Sequence, residues 1–211
     1  MSHPPDSSSP QVSRGVPGDL RRRRRLRTKT QLQDEAIALF TRKGYEQTSV
    51  EDIAHAAAIS PRTFYRYFAC KEDVVLWDEY DELSADELWN ANEGEDPYTL
   101  MVRRLRELTE QLYHQDPKRL LLRTRLCYTV PAIRARFVNQ QLDMLGPYYA
   151  QLTEVTGVNS DDLQLLVPLA AAFAAMLVAM ERWQRNDGRE DLTALVDQAL
   201  GALAALGPTR P

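Results

Sequence analysis

An all-α fold is predicted for this 211-residue chain by three observations. Apolar residues recur at helical spacing along most of its length, and no segment shows the period-two alternation of β-branched residues that a strand needs. A start signal also repeats, with Ser or Asp directly before Pro at Ser60-Pro61, Asp96-Pro97 and Asp116-Pro117. The first side chain of each pair can cap the free N–H groups of an incoming helix, and proline's fixed φ and missing N–H suit its first position. About nine helices are expected: a small N-terminal unit, a long acidic helix from Lys71, and a larger helical body, with no internal repeat.

Residues 1–20 are rich in Pro and Ser and poor in apolar side chains, which predicts a disordered tail. A basic arm, Arg21, Arg22, Arg23, Arg24, Arg25 and Arg27, follows, and helix one is expected from Thr28, with Ala36, Ile37, Leu39 and Phe40 on one face and a stop before Gly44. Thr48-Ser49-Val50-Glu51 reads as a capping box, a hydroxyl with Glu three residues on, opening a short helix that carries Ile53, Ala54 and Ala57 and ends near Ala58. Ser60-Pro61 opens helix three, where Phe64 and Phe68 face a core. The domain division predicted is 1–20 tail, 21–70 helical unit with its arm, and 71–211 body.

In the body, helices are expected to begin at Pro97, Pro117 and Pro131, and Gly146-Pro147 to kink the helix it interrupts. Gly157 reads as a stop, Ser160-Asp161-Asp162 as a new start, Asn186-Asp187-Gly188 as a turn, and the last helix as running from about Glu190 to Leu206. Along it Leu192, Leu195, Val196, Ala199, Leu200, Leu203 and Leu206 form a continuous apolar stripe, and the preceding helix, 163–184, is apolar nearly all round and Ala-rich. The pair suits a four-helix interface between two copies; burial of both within one protomer is the alternative. Tyr113, Cys127, Tyr128, Phe137, Met144, Tyr148, Phe173, Met176 and Trp183 are large or soft residues on the middle helices, candidates either for plain core or for a pocket that takes an apolar or aromatic ligand. Arg123, Arg125, Arg134 and Arg136 suit an anionic group, or pairing with the acidic segment before them.

The net charge of −4 is unevenly spread: +5 over residues 1–27, zero over 28–70, −10 over 71–96 and +1 beyond. A basic chain end is the footprint of a nucleic-acid arm or a solvated tail. Cys70 and Cys127 lack CxxC spacing, the first residues lack the apolar run of a signal peptide, and the longest apolar run, Leu165 to Met180, is 16 residues against the ~20 needed to span hydrocarbon. A cytoplasmic protein with reduced thiols and no membrane crossing is expected. With no Gly-rich phosphate loop, GxSxG or HExxH, and only three His, neither enzyme chemistry, a cofactor nor a metal is predicted.

Helices two and three, joined by Ala58-Ile59-Ser60, read as a helix-turn-helix, whose second member lies in the DNA major groove. Arg62, Thr63, Tyr65, Arg66 and Tyr67 point away from the Phe64–Phe68 face; Arg reaches guanine O6 and N7, Thr a base or thymine methyl, Tyr a phosphate. An ordinary helical hairpin with exposed aromatics is the alternative, as is a helical dimer binding a small molecule or protein without DNA.

The stretch AIALFTRKGYEQTSVEDIAHAAAISPRTFYRYFACKEDVV, Ala36 to Val75, resembles the DNA-binding domain of the tetracycline-repressor (TetR) family of bacterial transcription regulators. The resemblance implies a three-helix DNA-binding head, a variable ligand-binding body, a homodimer formed by the last two helices, and a palindromic double-stranded operator as partner. It further implies that Thr48 and Ser49 cap helix two against a phosphate, that Arg62 and Thr63 read bases, that Tyr65, Tyr67 and Lys71 hold the DNA backbone, and that Arg66 occupies a variable position. Two residues depart from the family pattern: Ala58 stands where Gly is usual, and Cys70 where a small polar cap is usual. The fragments LCYTVPAIRARF and VVLWDEYD resemble actinobacterial members, including mycofactocin-associated regulators, which implies a small-molecule effector such as an acyl-CoA.

Overall fold

The computed structural model describes residues 17–79, 83, 85–157 and 162–205; among these it contains ten α-helices and no strand. The head comprises α1 (Pro17–Lys43), α2 (Val50–Ala56), α3 (Pro61–Tyr65) and α4 (Lys71–Leu76). The body comprises α5 (Ala85–Trp89), α6 (Pro97–Gln115), α7 (Pro117–Thr129), α8 (Pro131–Thr156), α9 (Leu163–Arg185) and α10 (Leu192–Ala205).

The start signals act as expected. The Asp96 carboxylate accepts from the amides of Tyr98 and Thr99, Asp116 accepts from Arg119, and Pro97 and Pro117 occupy the first turns. Asp162 caps α9 through Gln164, whereas Ser160 and Asp161 lie outside the described residues. Gly157 ends α8 in the left-handed region at φ +70°, and Asp187 and Gly188 turn the chain at +55° and +68°. α8 continues as one helix past Gly146 and Pro147.

Three expectations are corrected. Helix one begins at Pro17, not Thr28, so Arg21–Arg27 and the last residues of the predicted tail are helical; residues 1–16 lie outside the described residues. Arginine is a strong helix former, and here that propensity prevails over mutual repulsion. The capping box is set one residue later: Ser49 Oγ accepts from the Asp52 amide at 3.0 Å while Asp52 accepts from the Ser49 amide at 3.0 Å. The long acidic helix from Lys71 is absent; α4 ends at Leu76, where Trp77 leaves the helical region at φ −59°, ψ 137° and side chains of α1 and α7 take the last carbonyls. The ten helices among the described residues are roughly consistent with the nine or so expected.

Two apolar clusters organise the chain. The first joins Leu32, Ile53, Phe64, Val74 and Val75 of the head with Leu126, Cys127 and Ile133 at the α7–α8 junction, so the head core extends past residue 70 into the body. The second gathers Leu100, Leu105, Leu152, Leu169, Trp183, Leu192 and Leu200. α9 is long and apolar enough to cross a membrane by length and composition alone, yet its Leu169, Ala172, Ala179 and Trp183 are buried in a bundle with α6, α7 and α10.

Candidate functional site

The α2–α3 unit is held from inside. Phe64 is fully buried and lies 5.9 Å from Phe68, ring to ring, which fixes one face of α3 on the core. Ser60 caps α3, its hydroxyl accepting from the Thr63 amide at 3.1 Å and bonding the Thr63 hydroxyl at 2.9 Å. Ala58 takes φ +53° in the turn, and the amides of Ala58 and Ile59 are satisfied by His55 and Ala54 carbonyls. These constraints leave Arg62, Tyr65 and Arg66 exposed, with Thr63 and Tyr67 half-buried beside them.

Arg21 to Arg25 and Arg27 are exposed along α1, and Arg22 pairs with Glu87 at 3.3 Å. The amino-terminal part of α1 meets the end of α3. Arg66 stacks on the Tyr67 ring at 5.1 Å. Burial pushes the Tyr67 phenol up, but hydrogen bonds with Arg66 and Thr28 and the charges of Arg66 and Arg24 prevail and hold it below the usual tyrosine range. Arg24, Thr28, Arg66 and Tyr67 thus belong to one cationic surface.

Two of the predicted contact residues face inward instead. Thr48 is buried and its hydroxyl donates to the Gly44 carbonyl at 2.8 Å, so it is committed to the α1–α2 turn. Lys71 donates to the carbonyls of Tyr45 and Thr48 at 2.9 Å each and sits 3.9 Å from the Tyr45 ring centre, bracing the same turn from α4. The Tyr45 phenol is hydrogen-bonded to Glu72, and burial with that carboxylate raises its pKa. Cys70 makes no side-chain cap on α4, and burial, with Glu72 beside it, pushes its thiol up to about 11.

Head and body meet at the carboxyl end of α4. A helix leaves its last carbonyls without intrahelical partners. Here the buried Gln33 amide donates to Val74 at 2.9 Å, Val75 at 3.3 Å and Trp77 at 2.7 Å, and accepts from Arg119. Arg123 donates to Val75 at 2.9 Å, Leu76 at 3.1 Å and the Asp78 carboxylate at 2.7 Å. At the other end of α4, Arg136 pairs with Asp73 at 2.6 Å. Arg123 and Arg136 therefore pair with the acidic segment, and Arg125 pairs with Asp187.

A cavity of about 230 Å³ opens beside this junction. Of the predicted pocket residues, Cys127, Tyr128, Phe137, Phe173 and Met176 line it. Tyr113 and Trp183 do not: their rings pack edge-on at 6.0 Å in the second cluster. The side chains of Met144 and Tyr148 lie outside the described residues. Burial raises the Cys127 thiol to about 11, and the Tyr128 hydroxyl donates to the Leu177 carbonyl at 2.9 Å. Sequence reasoning missed Gln33, Asp78, Trp89 and Arg104. Gln33 and Arg104 carried a readable signal, each being a polar residue in register with an apolar stripe: 33, 36, 37, 40 and 100, 101, 104, 105.

The stripe assigned to a dimer interface is corrected. Leu192, Leu195, Val196 and Leu200 are at most 4% exposed within the single chain, buried with α6 and α9, and Leu192 also lines the cavity. Ala199 and Leu203 pack against the same cluster, and Leu206 lies outside the described residues. Large apolar side chains left open include Leu163, Val167 and Val178 on α9, between 62% and 70% exposed, and Val138 and Leu142 on α8.

Comparison with known proteins agrees with this architecture. The family model described as "Bacterial regulatory proteins, tetR family" matches residues 32–76, and the "MftR C-terminal domain" model matches residues 95–208. The chain is 33% identical over 212 residues to the HTH-type transcriptional regulator TcmR of Streptomyces glaucescens, covering 96% of this chain and 92% of that protein. The structure of Thermus thermophilus FadR, a TetR-family repressor in complex with lauroyl-CoA, shares the fold with a TM-score of 0.53 at 22% identity, over 87% of this chain and 96% of that one. NalD, the secondary repressor of the MexAB-OprM efflux pump in Pseudomonas aeruginosa, does so with a TM-score of 0.55 at 22% identity, over 85% and 96%. Matched in both halves and along nearly its whole length, the chain belongs to the TetR family of bacterial transcription regulators and is not an enzyme.

Proposed function

We propose that the chain is a cytoplasmic, ligand-responsive repressor that binds a palindromic operator as a homodimer. The observation that carries this reading is the exposed face of α3, Arg62, Tyr65 and Arg66, standing beside the arginine-bearing start of α1. Arg62 and Thr63 supply base contacts, while Tyr65, Tyr67, Ser49 and the α1 arginines hold phosphates. The open α9 face, Leu163, Val167 and Val178, with the small exposed residues Ala194, Gly201 and Ala202 of α10, supports dimerisation through the last two helices. A mobility shift with DNA upstream of its own gene tests the reading; binding there at physiological salt supports it, and equal affinity for random DNA sinks it.

The effector reading is an apolar or aromatic small molecule in the α6–α9 cavity. Its volume, about 230 Å³, lies just below the usual range of ~300–1,000 Å³, which favours a compact ligand. An acyl-CoA, the class held by the FadR neighbour, is a second reading, and it requires the cavity to lengthen as the acyl chain enters.

A further inference from the structure

The cavity wall is mostly apolar, with Thr109, Thr124, Gln140 and Gln141 among its uncharged polar members. Three ionised side chains line it: Asp78, Arg104 and Arg123. Arg104 is balanced by Glu107 and Arg123 by Asp78, so an anionic ligand gains a cation here only by displacing one of these carboxylates. Arg104 is 7% exposed and committed, donating to the Leu88 carbonyl at 2.6 Å and to Glu107 at 2.5 Å. Arg123 is placed differently. Its guanidinium holds the Val75 and Leu76 carbonyls of α4 and the Asp78 carboxylate at once, and the side chains of Arg123 and Asp78 keep 20% and 17% of their surface open.

We propose that Arg123 and Asp78 form a switch operated by a compact apolar monoanion: the ligand's charged group takes the place of Asp78 on Arg123 and so loosens the carboxyl end of α4. This rests on the reading of the cavity as the effector site and names the ligand class that site takes. Two carboxylates cannot share one guanidinium edge in a partly desolvated corner without mutual repulsion, because Coulomb energies rise as water is excluded. Asp78 follows Leu76 and Trp77 directly, so displacing it pulls on the segment whose carbonyls Arg123 and Gln33 hold. A neutral ligand of the same shape fills the apolar wall but leaves the Arg123–Asp78 pair intact. Charge, not occupancy, is then what reaches α4.

The test compares 1-naphthoate with 1-naphthamide, and decanoate with decanamide, on the full chain and on Asp78→Asn and Arg123→Gln. Affinity is read by calorimetry, and the state of α4 by hydrogen exchange of the peptide covering residues 71–79. The expected result is that an acid binds about ten-fold tighter than its amide and speeds exchange in that peptide, while the amide does not. Asp78→Asn should bind the acid tighter still, since its competitor is gone, yet show little further exchange on binding; a merely structural role for Asp78 would weaken both. Arg123→Gln should bind acid and amide alike, with its helical content checked by circular dichroism. Equal binding of acid and amide to the parent overturns the proposal, as does an acid preference that survives Arg123→Gln, or no binding by any anion of the set. None of these measurements uses DNA, so failure to find an operator would sink the repressor reading and leave this one decided on its own results.

Discussion

Ala58 holds φ +53°, where its Cβ crowds the following carbonyl at a cost of about 1 to 2 kcal/mol that glycine avoids. Ala58→Gly should therefore stabilise the chain by about 1 kcal/mol, net of the entropy glycine adds to the unfolded state, raising its melting temperature by about 2–4 °C. Melting below the parent would contradict that account of the turn. Arg62 and Tyr65 separate base from backbone contact. Arg62→Ala should cost roughly 1 to 3 kcal/mol on the operator and little on random DNA, whereas Tyr65→Phe should weaken both, as titrations at one salt concentration would show. The residues that face outward from α3 were legible in the sequence, since the Phe64–Phe68 spacing fixes the inner face and so the outer one. Thr48 and Lys71 were not. Their motif matches a DNA-contacting one, but a hydroxyl and an ammonium turn toward whichever carbonyls the fold leaves open, and those of Gly44, Tyr45 and Thr48 are set by tertiary structure.

Elements bring a second kind of ambiguity, visible in α10. The apolar periodicity that marks its inner face is plain in the sequence, but periodicity states only that a stripe is covered and not by which chain. Here α6 and α9 of the same protomer cover it. Leu200→Ala should accordingly act as a core truncation, lowering folding stability by about 2–5 kcal/mol in denaturant titrations. Val167→Glu with Val178→Glu, on the open face of α9, should leave the protomer folded and halve the mass seen in sedimentation. A double variant that stays dimeric would place the interface elsewhere. The start of α1 escapes sequence reasoning for a different reason: the charge of an arginine run suggests an arm, while its helix propensity extends α1 back to Pro17. Truncation at residue 25 would thus cut into a helix. Replacing Arg21–Arg25 with Gln keeps the helix and should flatten the dependence of log affinity on log salt by about 0.9 for each phosphate that is no longer neutralised. An unchanged slope would assign these arginines to solvent.

At the scale of the whole molecule, the head is not an independent bead on a string. Its core runs through Val74 and Val75 to Leu126 and Ile133, so α4 belongs to both halves and cannot shift without both registering it. In a dimer that presents two recognition helices about one helical turn, ~34 Å, apart, such a shift alters the spacing, and a coupling of about 1–3 kcal/mol suffices for regulation. The all-helical class, the order of helices and most of their starts were legible, because caps and prolines act locally. The pocket was legible only in part, since its charged lining residues, Asp78, Arg104 and Arg123, come from three separate segments. The grip on α4 has one more consequence. Gln33 and Arg123 hold it chiefly by carbonyl oxygens, atoms that every amino acid supplies. Substitutions along α4 can therefore accumulate without releasing that end of it, and the apolar walls on α6 and α9 can drift toward new small molecules while the linkage to the head is inherited unchanged. A library confined to those walls, leaving Gln33, Asp78 and Arg123 fixed, is where a biosensor with a new input is best sought.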